Sequence, residues 1–283
     1  MDRLFETNIL KPRIKHFGVV FKKPDLLVCL LVLFLALGFI MMPWVFSAYN
    51  PIEEVGPHLS APSFAHWLGT DELGRDLYSR IVYGAVYSLS GAMAAVIFGF
   101  MIGGLLGLFS GFVGGLFDVV VMRFIDMLLS IPSLLLSLSL ITLLGSGTLQ
   151  IAVAVGVPSI AGFTRLSRAE VARIRTADFI EAAFGSGASF FQVLYRHVLP
   201  NAFYTLIGYS ALQFGHALLQ IATLGFLGYS VQPPTPEWGL LIAEGRNYVA
   251  TAWWLTIMPG LFVIAVVIST NRLSHFITAR GAL

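Results

Sequence analysis

The sequence predicts an all-α polytopic membrane protein with six transmembrane helices. Three observations carry this. The 283 residues are 57% hydrophobic and only 11% charged, with a mean hydropathy of +0.83, whereas a soluble domain carries about a quarter charged residues. Six apolar runs follow one another, separated by polar segments. Threading them alternately leaves only Arg75, Arg80 and Arg246 of the 17 basic residues on one side. The positive-inside rule then makes the other side, with both termini, cytoplasmic. A net charge of +2 is too small to suggest a nucleic-acid partner, and the lone Cys29 excludes a disulfide within the chain.

Residues 1–25 form a basic cytoplasmic segment carrying Arg3, Lys11, Arg13, Lys15, Lys22 and Lys23. It is followed by a first span over 26–46, which reads as a retained helix and not as a cleaved signal. Trp44 lies near the outer end of that span, where indole rings favour the interface. Residues 47–83 form an extracytoplasmic loop. Its acidic cluster Asp71, Glu72 and Asp76 lacks the alternating oxygen spacing of a calcium loop, so Thr70 or Asp71 is expected to cap the next helix. The second span runs from about Tyr87 to Phe109. Gly99, Gly103, Gly107 and Gly111 recur every fourth residue, extended by Gly91 and Ala95 upstream and Gly115 downstream. That spacing makes a bare face against which another backbone can pack closely, either as a static seam or as one that slides.

Residues 110–129 read as a link in which Arg123 and Asp126, three apart, can pair. The third span covers about Ser130 to Leu144 and the fourth about Leu149 to Phe163. A basic stretch with Arg165, Arg168, Arg173 and Arg175 follows. In the segment 178–201, Asp178 is placed to cap a helix through Glu181. Glu181, Ala182 and Ala183 favour that helix, Gly185 and Gly187 weaken it, and Pro200 suits the first turn of a new one. The reading is a short helix, a break and a re-entry into the membrane.

The fifth span runs from Ala202 to about Leu227. Tyr209, Gln213, His216 and Gln220 form a polar stripe along it. Intramembrane polar groups face the bundle or a wet cavity, so the stripe either lines a translocation path or hydrogen-bonds between helices. His216 has no second His, Cys or acid near it on the span, and no metal site is read. Residues 228–250, with Gln232-Pro233-Pro234-Thr235-Pro236-Glu237-Trp238-Gly239, are too proline-rich to span. The sixth span starts at Trp253 and Trp254, runs to about Thr270 and is kinked by Pro259-Gly260. Residues 273–283 read as a short cytoplasmic tail.

Glu181-Ala182-Ala183, Gly187 six positions on, and Leu199-Pro200 together resemble the cytoplasmic EAA loop of ABC importer permeases. The string from His66 to Asp76 and the loop 232–239 are similar to segments of the dipeptide, oligopeptide and nickel group of that family, in its C-type permease. The resemblance implies a type I ABC importer permease fold, with residues 84–272 as a permease core of five transmembrane helices. It also implies that the 181–200 loop docks on an ATPase subunit. There is no Gly-x-x-x-x-Gly-Lys-Ser/Thr in the chain, so ATP and Mg would be bound by two separate ATPase subunits, with no cofactor in this chain. The further partners implied are a homologous second permease and an extracytoplasmic solute-binding protein, at the bacterial inner membrane. Short peptides are the expected cargo; nickel, metal-opine chelates and glutathione are the group's others. The Asp- and Arg-rich tail common in that group is missing. An ion-coupled secondary transporter would need mid-membrane charges, and an intramembrane enzyme a nucleophile with its base; the spans offer neither.

Overall fold

Helix dominates because apolar segments in a membrane must satisfy every backbone group internally. The computed structural model describes residues 24–145 and 147–281, and among them there is no strand, only an isolated bridge between Thr70 and Asp76. The basic residues expected on segment 1–25, from Arg3 to Lys23, lie outside the described residues. In chain order the helices are α1 (Pro24–Met41), α2 (Pro43–Phe46), α3 (Leu77–Val113), α4 (Gly115–Ser130), α5 (Ser133–Leu144), α6 (Thr148–Arg175), α7 (Asp178–Gly185), α8 (Phe190–Val193), α9 (Leu199–Phe226), α10 (Trp238–Gly245) and α11 (Trp254–Gly281).

Among the described residues α1, α3, α6 and residues 254–278 of α11 are long and apolar enough to cross a membrane. The pair α4 and α5, bent by 91°, is a fifth candidate. The 28-residue α9 is not in that group, because its polar stripe and glycines hold its hydropathy below theirs. At the centre α3 lies along α6, and α9 packs on both as well as on α11. α1 covers α11 and α3 from outside, and α10 fills the space between α9 and α11.

Several boundaries differ from the sequence expectation, each for a local reason. The first span divides at Met42, ahead of Pro43. The second begins ten residues early, at Leu77, because Asp76 caps it by accepting from the Ser79 amide at 2.8 Å. Thr70 and Asp71 are therefore not the cap: Asp71 instead closes a turn onto the amides of Leu73 and Arg75. The link 110–129 is helical. It turns at Gly114 and Gly115, both with positive φ, so Gly115 falls outside the glycine row. The bend between α4 and α5 comes at Ile131, held extended by the following Pro132.

Arg123 does not pair with Asp126. Asp126 takes Arg165 of α6 at 2.7 Å, and Asp118 takes Arg168 in a two-point bond at 2.5 and 2.6 Å. The basic stretch after Phe163 is no loop either: α6 continues to Arg175, burying Ser167, Val171 and Ile174. Likewise α11 runs through the expected tail to Gly281, with Ser274 donating to the Gly208 carbonyl at 2.7 Å.

The α3–α6 contact is made on bare backbone. A Cβ on Gly99 would lie 2.8 Å from Ser159 Cβ, and one on Gly111 would lie 2.7 Å from the Arg168 carbonyl oxygen. At Gly103 and Gly107 it would fall under 3.0 Å from the Ile160 and Thr164 carbonyls. Ser167 adds a hydroxyl bond to the Gly104 carbonyl at 2.9 Å. Gly91, upstream in the row, faces Ile221 of α9 instead.

Candidate functional site

The segment between α6 and α9 folds back on the ends of the central helices. α7 starts after Ala177, which provides no side-chain cap, so Asp178 is the first helical residue and not the cap expected for it. The helix ends at Gly185, and Gly187, two residues on, turns the chain away with a φ of +88° that suits glycine. The amides of Gly187 and Ala188 close it by donating to Phe184 and Ala183. Ser189 and Gln192 then form a reciprocal capping box that starts α8.

Before Pro200 the chain does not break. Residues Leu194–Val198 widen into a π turn, and the Leu199 amide donates five residues back to Leu194. Pro200 has no N–H and crowds the carbonyl four residues earlier; the wider turn accommodates both effects.

One side of this segment is anchored. Ile180, Val193, Leu194 and Val198 are buried with Leu108 and Phe112 of α3, Val171 and Ile174 of α6, and Ala202 of α9. The other side is open. Glu181, Ala182, Gly187 and Pro200 are exposed, while Ala183 and Leu199 are half-buried. Phe179, Phe184, Phe191 and Tyr195 project among them. Among the described residues the Glu181 carboxylate has no hydrogen-bond or ion-pair partner, while its amide donates to the Ala177 carbonyl. The result is a short helix with a free carboxylate and exposed rings, seated on the ends of α3, α6 and α9.

The stripe on α9 meets a cleft of about 270 Å³. Tyr209, Gln213, His216 and Gln220 all line it, facing Pro158, Ser159 and Gly162 of α6 and, across the α4–α5 bend, Leu129 and Ser133. Gly162 leaves room for the Tyr209 hydroxyl, and the Tyr209 ring packs edge-on to Phe163 at 5.1 Å. The Gln220 amide nitrogen is buried with no hydrogen-bond partner, and no Asp, Glu, Lys or Arg lines the cleft. Such a surface offers hydrogen bonds to a polar solute without fixing a charge. No cluster of metal-ligating residues is present among the described residues.

The family model for the "binding-protein-dependent transport system inner membrane component" matches residues 103–280. The chain belongs to this family. It is 37% identical over 241 residues to the probable D,D-dipeptide transport system permease protein DdpC of Escherichia coli K12, covering 85% of this chain and 81% of that one. It is 39% identical over 255 residues to the di/tripeptide transport system permease protein DppC of Pseudomonas aeruginosa UCBPP-PA14, covering 87% and 82%. Its fold is similar to a chain of the MetNI methionine ABC transporter in an inward-facing conformation. The TM-score is 0.58 at 19% identity, covering 71% of this chain and 96% of that one.

This inner membrane component also holds a buried acid–base cluster that the sequence did not disclose. Arg80, in the first turn of α3, donates to Asp71 at 3.0 Å and to Glu244 of α10 at 2.9 Å. Arg75 donates to Asp71 at 2.7 Å and approaches Glu72 at 3.6 Å. Asp76 also takes His66 Nδ1 at 2.9 Å. Burial pushes the Glu244 carboxyl above its ordinary value, opposed by Arg80 and Arg75. Glu237 is fully buried without a cation. It accepts from Ser88 of α3, from Ser230 and from the amides of Gly239 and Leu240, capping α10. Burial pushes its carboxyl up, and these four bonds pull it down. The proline-rich composition of 228–250 hid α10. Glu is not among the usual cap residues, so Glu237 before the apolar run gave no standard helix-start signal.

Proposed function

We propose that the chain is the transmembrane permease subunit of an ATP-driven, binding-protein-dependent importer of di- or oligopeptides in a bacterial inner membrane. In this reading α9 completes a set of six spans with both termini cytoplasmic. α7, with Glu181, Ala182, Ala183, Gly187, Leu199 and Pro200 around it, takes up the motion of the ATPases. Two separate ATPase subunits bind ATP and Mg and carry out hydrolysis, so this chain is not itself an enzyme. A homologous permease supplies the other wall of the path, and an extracytoplasmic solute-binding protein delivers cargo. The cleft lined by Tyr209, Gln213, His216 and Gln220 is this chain's share of the path, opened alternately to either side.

One observation carries the coupling role: an exposed helix with an unpaired carboxylate is braced by a buried cluster shared with three long helices. A load on α7 reaches those helices through packed side chains, because a dense core transmits displacement. Peptide cargo rests on the dipeptide and di/tripeptide relatives, and a cleft lined by Tyr, Gln and His side chains suits a solute rich in amide groups.

The test uses the whole transporter in proteoliposomes. Glu181→Lys is expected to abolish binding-protein-stimulated ATP hydrolysis while the subunit still inserts and folds; unchanged stimulation removes the coupling role. Uptake of a labelled dipeptide, competed with longer peptides, glutathione and nickel, decides the cargo separately.

A further inference from the structure

Segment 47–76 leaves an aromatic-walled groove where the chain departs the first span and enters the second. Phe46, Tyr49, Phe64, Trp67 and Tyr78 line it, beside the buried pair Asp76 and Ser79, and its volume is about 210 Å³. The segment around it is well tied. Thr70 Oγ1 accepts from the Ser60 amide at 2.9 Å, the His66 and Asp76 side chains join at 2.9 Å, and the Ser63 amide donates to the His66 carbonyl at 2.8 Å. Yet this ordered segment holds Phe64 fully exposed and Trp67 two-thirds exposed, while Trp44 and Val45 of α2 are equally bare. Removing aromatic side chains of that size from water is favourable, so a well-tied loop presenting two of them implies an apolar cover.

The position of the groove indicates what the cover is. Phe46 lines it and also packs against Phe39 of α1 at 5.1 Å. Only 17% of the apolar window of α1 is buried, and Leu31, Phe34, Leu37 and Met41 are bare along it. The aromatic patch is thus a continuation of a lipid-facing helix. Tyr78, in the first turn of α3, sets it at the level where two spans leave the membrane, the depth that Trp and Tyr rings favour. No cationic side chain lines the groove, so an anionic headgroup is not its determinant.

We propose that the groove seats the glycerol and upper acyl region of a phospholipid, so that residues 61–67 are a membrane-interface anchor and not a loop standing in water. This requires only that α1 and α3 cross the bilayer, and it is independent of the coupling and cargo readings.

The experiment places an environment-sensitive thiol fluorophore on Phe64→Cys in a Cys29→Ala background, in the assembled transporter in phospholipid nanodiscs. Phe34→Cys serves as the lipid-facing reference and Glu54→Cys as the aqueous one. The label at position 64 is expected to be blue-shifted, to lose most of its emission to a headgroup-borne spin label, and to resist aqueous iodide. A label at 64 that behaves like the one at 54 overturns the proposal. So does protection that appears only when the solute-binding protein is added, which assigns the groove to protein docking. Trp67→Cys, labelled in the same way, keeps the test decisive if the label at 64 disturbs assembly.

Discussion

Gly103 and Gly104 are adjacent on α3, and an alanine at each should have opposite effects. A Cβ at 103 would stand under 3.0 Å from the Ile160 carbonyl oxygen and 2.7 Å from Phe163 Cβ, with the Thr164 amide nitrogen at 3.1 Å. Two of those neighbours are backbone atoms of a packed helix, so α6 itself must move. Overpacking of this kind costs about 1–3 kcal/mol. Replacing a helical glycine by alanine returns roughly 1 kcal/mol of backbone entropy. The net for Gly103→Ala is a loss of up to about 2 kcal/mol, and Gly103→Leu must push the helices apart. A Cβ at 104 meets nothing within 4 Å, which leaves only the propensity term. Gly104→Ala should be neutral or stabilising by up to about 1 kcal/mol. Unfolding of both variants in bicelles, followed by steric trapping, measures the difference directly. Equal stabilities for the two would refute the close α3–α6 seam.

Gln213→Leu combined with Gln220→Leu should reduce peptide uptake several-fold while assembly persists, measured in proteoliposomes; normal uptake would assign the stripe to packing between helices. Arg80→Met leaves Arg75 as the remaining cation for Asp71 and Glu244, at 2.7 and 4.0 Å, and should destabilise the subunit by about 1–3 kcal/mol, seen as a lowered thermal midpoint; an unshifted midpoint would show that Arg80 contributes little. Glu237 gives a pH test. Its folded pKa lies above the unfolded value, so the folded state holds the proton more tightly. That contribution is complete below the ordinary carboxylate value, near 4.3, and is lost as pH rises through the raised one. Glu237→Gln should flatten this decline in a stability–pH profile, leaving the part due to Glu244, whose pKa is also raised. An unchanged slope would assign the decline elsewhere.

The elements most legible in the sequence were those set by local chemistry. Hydropathy located the apolar runs, and four-residue glycine spacing marked the face of α3 that meets α6. Pro200 was expected to open a new helix after a break, but the chain stays helical through it, with the π turn at Leu194–Val198 accommodating the missing N–H. What escaped was set by tertiary partners. Residues 77–86 contain Tyr78, Ser79 and Arg80, which hydropathy discards, yet the helix begins there because Asp76 caps it, and Asp71 and Glu244 accept the Arg80 charge once it is buried. Asp126 was assigned to its helix neighbour Arg123 and instead found Arg165 on α6, 39 residues away. Of the candidate site, the motif residues on α7 and the stripe on α9 were visible as patterns. The buried cluster beneath α7 and the α6 wall of the cleft depend on packing that no local spacing encodes.

These pieces combine into a route from the exposed connector to the cleft. The cluster under α7 includes Leu108 and Phe112, interleaved with Gly107 and Gly111 on α3. On the proposed reading a displacement of α7 is delivered where the bare glycine face of α3 lies against the carbonyls and the Ser159, Phe163, Ser167 and Val171 side chains of α6. From there two ion pairs extend the connection. Arg168 and Arg165 of α6 hold Asp118 and Asp126 of α4, and Asp118 also takes the Ser110 hydroxyl of α3. α4 runs between the positive-φ glycines at 114 and 115 and the bend at Ile131, and Ile125 packs it against Ile160 and Ala161 of α6. Its far end carries Leu129 into the cleft, opposite Gln213 and Gln220. On the proposed reading, motion delivered to Glu181 need not travel along α9 alone. It can change the width of the cleft from the opposite wall, through α6 and the salt-bridged α4. Severing that second route while leaving α7 intact, with Arg165→Leu and Arg168→Leu together, should therefore lower uptake more than it lowers stimulated ATP hydrolysis in proteoliposomes. An equal loss of both would place all of the coupling in α9.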